Sequence, residues 1–368
     1  MSSSQLVTDA LEYELPPELI ATRPAEPRDS ARLLVCSRSH DRIEHACVRD
    51  LPGYLDAGDA MVFNTSAVAP ARFRGRRADT GGRIEGLFVE PAGDDGWIVM
   101  LASNGRLRTG HRIELLDRHE NVTAHGLELV ETRTDGWRVL VHGPGPVASV
   151  LDEVGLTPLP PYIRRARDGR EFDDDLDRGW YQTVYADLAK RRSVAAPTAG
   201  LHFTDDLLVR LDEAGVRRID VTLHVGPGTF RPITAPTLAG HVMHAEHYEV
   251  SPASIAALRD VGDAGARGRR IVAVGTTSAR TLESLPDPLP SPESLDGPIV
   301  GCTDLLIAPP YRPRRFDGLL TNFHLPRSTL LALVASLIGL DRLMVVYAEA
   351  VRRQYRFYSY GDAMLIMP

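Results

Sequence analysis

Cysteine is scarce. Three in 368 residues, Cys36, Cys47 and Cys302, are too few and too scattered for a disulfide framework or a four-cysteine zinc site. That scarcity fits a reducing compartment, so a cytoplasmic location is expected. Long apolar runs are missing too. The longest, Leu330 to Leu340, is broken by Ser336 and is too short for a bilayer span. The opening Met-Ser-Ser-Ser-Gln has neither a basic n-region nor an apolar h-region, so neither a secretory signal nor a membrane partner is expected. Positive charge is not in excess: 42 Lys and Arg against 49 Asp and Glu leave −7, which disfavours a non-specific nucleic-acid binder. Internal repeats and low-complexity tracts are absent. Neither a Walker pattern nor Gly-x-Gly-x-x-Gly follows a strand, which disfavours nucleoside triphosphates and dinucleotides.

What is present reads as an ordinary soluble globular chain, 43% hydrophobic and 25% charged, long enough for two domains or for one with an insertion. Arginines cluster locally at Arg72, Arg74, Arg76 and Arg77, at Arg164, Arg165, Arg167 and Arg170, and at Arg312, Arg314 and Arg315. Arg32 to Val35 and Asp59 to Phe63 read as strands. From Arg72 to about His142, short alternating runs are separated by Gly-Gly, Asn-Gly and Asp-Gly turns, the texture of a small all-β barrel or sandwich. Beyond Leu156 helices alternate with apolar strands. Thr204 caps a helix stopped by Gly215, and Val216 to Val225 alternates as a strand. Arg270 to Val274 is a short buried strand with a helix following from about Ala279, and Thr303 to Ile307 is another strand. Ser328 caps a helix over Leu330–Ile338, and a last helix runs from about Asp341 to Tyr355. The expected fold is a mixed α/β main domain, 1–71 with 150–368, carrying a smaller barrel-like β domain, 72–149, as an insertion.

Chemistry concentrates from Ser193 to Pro232, where His202 and His224 stand among glycine turns and hydroxyls, Thr198 among them. Gly275-Thr276-Thr277-Ser278 ends a strand and opens a helix. Unpaired amides and the helix dipole make such a turn a seat for a carboxylate or phosphate. His241-Val242-Met243-His244-Ala245-Glu246 pairs imidazoles with a carboxylate. On a helix His241 and His244 share a face; on a strand His244, Glu246 and Tyr248 do. The spacing matches no common metal motif, and a proton-transfer pair near neutral pH is the stronger reading. Asn322-Phe323-His324-Leu325-Pro326 precedes a capped helix. The ending, Tyr355 to Met364 with Tyr360 and Asp362, offers aromatic faces for a purine or a sulfonium.

These stretches resemble one family along nearly the whole chain, the S-adenosylmethionine:tRNA ribosyltransferase-isomerases of queuosine biosynthesis. The matching motifs include Leu19–Leu34, Gly58–Asn64, Pro158–Ile163, Tyr181–Ala186, Val194–Phe203, Thr222–Phe230, His241–Glu246, Ala273–Ser278, Thr321–Leu330 and Tyr355–Met364. The resemblance implies transfer of the ribosyl group of S-adenosylmethionine, a co-substrate, to the aminomethyl group of a 7-deazaguanine base in tRNA. The sulfonium acidifies its neighbouring ribose carbon, a base removes that proton, adenine and methionine leave, and the ribose rearranges to an epoxycyclopentanediol. It further implies no metal, and a monomer or weak homo-oligomer. On this reading His244 with Glu246, or His224, supplies the proton transfers. Thr276, Thr277 and Ser278 hold the methionine carboxylate. His202, Thr198, His241, Asn322, His324, Tyr360 and Asp362 contact the rest of the substrate.

Three places depart from the family's pattern. Asn64-Thr65-Ser66-Ala67-Val68 stands where Asn-Asp-Thr-Arg-Val is usual, Arg191-Arg192 where Pro-Gly is usual, and Ala308-Pro309-Pro310-Tyr311 where Tyr-Pro-Gly-Tyr/Phe is usual. Two alternatives follow: a paralogue using the same donor on a small-molecule acceptor, or an inactive RNA-binding relative.

Overall fold

The computed structural model describes residues 6–134, 136–166, 173–228, 233–263 and 268–368. The chain begins with β1 (Arg32–Ser37), β2 (Ile43–Cys47), β3 (Ala60–Asn64) and β4 (Ser66–Val68). Six strands follow without an intervening helix: β5 (Arg72–Arg77), β6 (Arg83–Pro91), β7 (Gly96–Ser103), β8 (Arg112–Leu116), β9 (Val122–Arg133) and β10 (Gly136–His142). Next come α1 (Val147–Val154), α2 (Pro161–Ala166), α3 (Asp174–Trp180), β11 (Asp187–Ser193), α4 (Asp205–Glu213), β12 (Arg217–Leu223) and β13 (Glu246–Val250). The last part holds α5 (Pro252–Asp263), β14 (Ile271–Val274), α6 (Gly275–Ser284), β15 (Ile299–Thr303), β16 (Gly318–Asn322), α7 (Thr329–Ile338), α8 (Leu340–Arg352) and β17 (Ala363–Met367).

Nine strands make one mixed sheet in the order β15-β13-β12-β3-β14-β16-β17-β1-β2. Its centre, β12, β3, β14 and β16, is parallel. Strand periodicity sorts the core into two layers. Ala60 and Val62 of β3 pack on one face with α5, α6, α7 and α8. Met61 and Phe63 pack on the other with Leu207 and Leu211 of α4. With both faces covered, β14 and β3 up to Phe63 are apolar runs, as a buried parallel sheet requires, whereas β12 also carries Arg217, Arg218 and Asp220. Among the described residues no single helix is long and apolar enough to cross a membrane.

Strands β5 to β10 close into a barrel in the order β10-β7-β6-β5-β8-β9, which leaves no free edge. Its core is its own: Phe73, Ile84, Trp97, Val99, Ile113, Leu115, Leu127, Leu129 and Val139, joined by Val150, Leu151 and Val154 of α1. Gly86 is obligatory there, because a Cβ would lie 2.0 Å from the Phe73 ring. The mixed α/β body and the closed barrel are the architecture that the turn chemistry and the helix–strand alternation predict.

Several element limits differ from expectation. The strand placed at Thr303 to Ile307 is instead β15, Ile299–Thr303. It ends where Thr303 pairs Glu246, and the apolar Leu305, Leu306 and Ile307 that follow wall a cavity. The helix expected from Ala279 begins at Gly275, whose φ of +86° turns the chain straight out of β14. His241 to Ala245 form neither a helix nor a strand. His241 closes a short 3-10 turn, Leu238–Gly240, and only Glu246 enters β13. Arg167 and Arg170, like Thr229, Phe230, Arg231 and Pro232, lie outside the described residues.

Candidate functional site

Four parallel strands end side by side, and open α/β sheets bind ligands beyond such carboxyl ends. Asn64 terminates β3, Leu223 leads into His224 from β12, Val274 leads into α6, and Asn322 terminates β16. Neighbouring antiparallel strands bring Glu246 and Asp362 to the same edge, since Asn322 pairs Ala363 across β16 and β17.

The α6 terminus is the most exacting local structure. Gly275 lies against the short 3-10 turn Thr198–His202: a Cβ there would sit 3.5 Å from Ala199 Cβ. Thr276, Thr277 and Ser278 occupy the first helical turn and are buried. Among the described residues no side chain caps this helix, and Thr277 Oγ1 and Ser278 Oγ have no hydrogen-bond partner. Buried hydroxyls without partners, beside free amides at the positive end of a dipole, form a seat for an anionic group.

Beside it Asn322 Nδ2 donates to the Tyr358 carbonyl at 3.1 Å and meets His202 Nε2 at 3.1 Å, while Asn322 Oδ1 has no partner among the described residues. Thr321 Oγ1 is 2.8 Å from His324 Nε2, and the His324 N–H donates to the Tyr347 hydroxyl. Burial pushes the His324 imidazole down to about 3. Burial, then the nearby Arg356 and Arg28 guanidiniums, push His202 down to about 3 as well. Both rings are therefore neutral hydrogen-bonding groups near pH 7. Thr198, Asn322 and His324 line a small cavity whose walls include Tyr162 and Tyr358, with ring centroids 4.5 Å apart.

A second small cavity shares Leu330 with the first and is lined by His241, Met243, His244, Glu246 and Arg280. Glu246 is buried and ion-paired with Arg280, and its Oε1 accepts the Gly226 N–H at 2.9 Å. Arg280 in turn donates to the Leu305 and Thr303 carbonyls, both at 3.0 Å. This carboxylate is held in place by its partners. His244, by contrast, is exposed, and burial followed by the charge of His244 lowers His241.

His224 stands apart from His244. Its Nδ1 is 2.8 Å from Ser66 Oγ, and Ser66 Oγ is 2.7 Å from Ser193 Oγ. Burial, then Arg192, push this imidazole down to about 4. The remaining predicted residues are tied into the frame. Asp362 accepts the N–H groups of Arg32 at 3.0 Å and Arg356 at 2.8 Å. Tyr360 is buried with its ring 6.0 Å from that of Tyr181. Among the described residues no group of three His, Cys, Asp or Glu could hold a metal ion.

Sequence reasoning did not single out Arg280, the counter-ion of Glu246, nor Tyr162 as a cavity wall. It met Ser66 and Ser193 only as parts of motifs. Arg280 could have been suspected, because a cation one turn beyond Thr276 on a helix shares its face. Of the departures, Ala67 is fully buried and pairs Arg191 across β4 and β11, and Arg191 is ion-paired with Asp152.

A family model described as "Queuosine biosynthesis protein" matches residues 8–366. Curated relatives named S-adenosylmethionine:tRNA ribosyltransferase-isomerase are similar over their full length. That of Gloeobacter violaceus is 45% identical over 365 residues, covering 98% of this chain and 96% of its own. That of Symbiobacterium thermophilum is 46% identical over 358 residues, covering 97% and 98%. A crystal structure of an S-adenosylmethionine tRNA ribosyltransferase from Thermotoga maritima, at 36% identity, aligns with a TM-score of 0.52, covering 97% of this chain and 100% of that one.

Proposed function

The chain belongs to the queuosine biosynthesis protein family, and from that membership we propose that it transfers and isomerises the ribosyl moiety of S-adenosylmethionine onto the aminomethyl group of a 7-deazaguanine base in tRNA, yielding epoxyqueuosine-tRNA, adenine and methionine. It is an enzyme, a ribosyltransferase-isomerase, and S-adenosylmethionine is its co-substrate. The observation that carries the reading is full-length similarity to relatives of that name, at 45% identity over 98% of the chain. The site is consistent with it in chemistry. The amides of Thr276 and Thr277 and the hydroxyls of Thr276, Thr277 and Ser278 suit the methionine carboxylate, and the Tyr162 and Tyr358 walls suit a flat base near a sulfonium.

In this reading Thr198, His202, Asn322 and His324 contact the ribose and adenine, Tyr360 and Asp362 brace that wall, and His241 borders the second cavity. His244 beside Glu246, or His224, moves the protons. Glu246 is engaged by Arg280, so it orients its surroundings. The enzyme works in the cytoplasm as a monomer or weak homo-oligomer. The small-acceptor and RNA-binding alternatives draw no support from the relatives.

Incubating the protein with S-adenosylmethionine, with and without tRNA carrying the aminomethyl-deazaguanine, tests this by mass spectrometry. Adenine and methionine should appear in equal amounts and only with that tRNA. Release with a free small acceptor but not with tRNA would overturn the reading.

A further inference from the structure

Three elements converge on two buried hydroxyls. Ser66 belongs to β4, Ser193 ends β11, and His224 follows β12. Ser66 and Ser193 are fully buried, whereas His224 is partly exposed. The imidazole backbone is clamped on both sides. Asn64 Oδ1 accepts the N–H groups of Leu223 and Ser66 at 3.0 and 3.1 Å, and Asn64 Nδ2 donates to the Leu223 carbonyl at 2.9 Å. The His224 N–H donates to the His247 carbonyl at 2.9 Å.

The hydroxyl protons can then be placed by elimination. Ser193 Oγ already accepts the Val225 N–H at 2.9 Å, and its remaining contact is Ser66 Oγ at 2.7 Å. Ser66 Oγ has two possible acceptors besides Ser193: His224 Nδ1 at 2.8 Å and the Lys190 carbonyl at 3.5 Å, the outer limit of a hydrogen bond. Sending the Ser193 proton to Ser66 and the Ser66 proton to Nδ1 puts both on short links. The opposite wiring, with Nδ1–H donating to Ser66, either strands the Ser193 proton without an acceptor or stretches the Ser66 bond to 3.5 Å. Buried donors without acceptors are costly, so the first wiring holds.

We propose that Ser66 and Ser193 are positioning residues that hold His224 as the neutral imidazole with its proton on Nε2, so that it presents a fixed N–H donor, not a base, on its open side. Nε2 makes no hydrogen bond among the described residues and is not a buried orphan, so it opens to solvent. The charged and titratable groups around the ring are Arg192, Lys190, His247 and Glu249, of which only Glu249 favours a second proton. Glu249 is itself bonded to Lys190 Nζ at 2.7 Å. What the donor serves rests on the ribosyl-transfer reading: the N–H meets a lone pair of the departing adenine or of a ribose oxygen, and the base work falls to His244.

Nitrogen-15 NMR of the imidazoles in the full chain decides this, with the His224 signals assigned by their loss in His224→Gln. At pH 7 His224 should carry its proton on Nε2. Ser66→Ala should mix the tautomers and raise the titration midpoint by about one unit, the worth of one hydrogen bond. Ser66→Thr, which keeps the hydroxyl, should restore both. A wild-type proton on Nδ1, or a Ser66→Ala signal unchanged from wild type, overturns the proposal. Should Ser66→Ala not fold, the wild-type tautomer alone decides. No substrate is needed, so absent adenine release would defeat the functional reading and leave this one standing.

Discussion

His202 and His324 are 4% and 6% exposed and stay neutral when folded, because water cannot reach them to solvate a charge. Unfolded, each returns to its ordinary value of 6.5. Below that pH the unfolded chain binds more protons than the folded one, so stability is full above pH 6.5 and falls as pH drops towards about 3. By pH 5 the loss should be about 2 kcal/mol for each ring. Urea midpoints at pH 7 and pH 5 should differ accordingly, and His324→Gln should remove one share of the difference. An equal slope in that variant would mean that His324 is hydrated in solution. The same burial explains why these rings suit hydrogen bonding to a substrate better than proton transfer.

At the scale of the element, α6 concentrates the expected binding power in its first turn. The positive φ of Gly275 lets β14 run directly into the helix, so the free amides of its first turn, those of Thr276 and Thr277 among them, lie directly beyond the end of that strand. Gly275→Ala forces an L-residue into that region at about 1–2 kcal/mol. The expected result is a small drop in melting temperature with a rise of about tenfold in KM for S-adenosylmethionine, measured by steady-state adenine release; a tenfold change is about 1.4 kcal/mol. An unchanged KM would mean that this turn does not hold the donor. The neighbouring caps at Thr204 and Ser328 accept the N–H groups of Leu207 and Leu331 as their sequence positions predict, because capping is a contact over three residues.

At the scale of the molecule, the barrel and the nine-stranded sheet keep separate cores. The barrel core draws every buried member from Phe73 to Val154, so α1 packs with the strands that precede it. We propose that the barrel and α1 form one folding unit, running a little past the 72–149 insertion expected from composition. Native-state hydrogen exchange on the full chain should show the protected amides of the barrel and α1 opening together, with a free energy different from that of the sheet. Barrel amides that open only with the sheet would argue for a single unit.

Local pattern alone determined the element types, the inserted barrel and both helix caps, because caps, turns and period-two alternation are set by residues a few positions apart; the family came from the resemblance of motifs along the whole chain. The motif stretches also contain most of the residues that gather at the strand ends, including His224, Glu246, the α6 turn and Asn322. Tertiary structure alone decided which of these meet. Glu246 and Arg280 are 34 residues apart, and Ser66 and His224 are 158 apart. Their roles follow from partners and burial, which no local window contains. The loop state of His241 to Ala245 was also hidden, because His-rich polar runs carry no decisive period and the end of β13 depends on pairing with Thr303. Whether His224 gives or takes a proton rests on two serines that the fold delivers from other strands, and no spacing within the motif could have placed them.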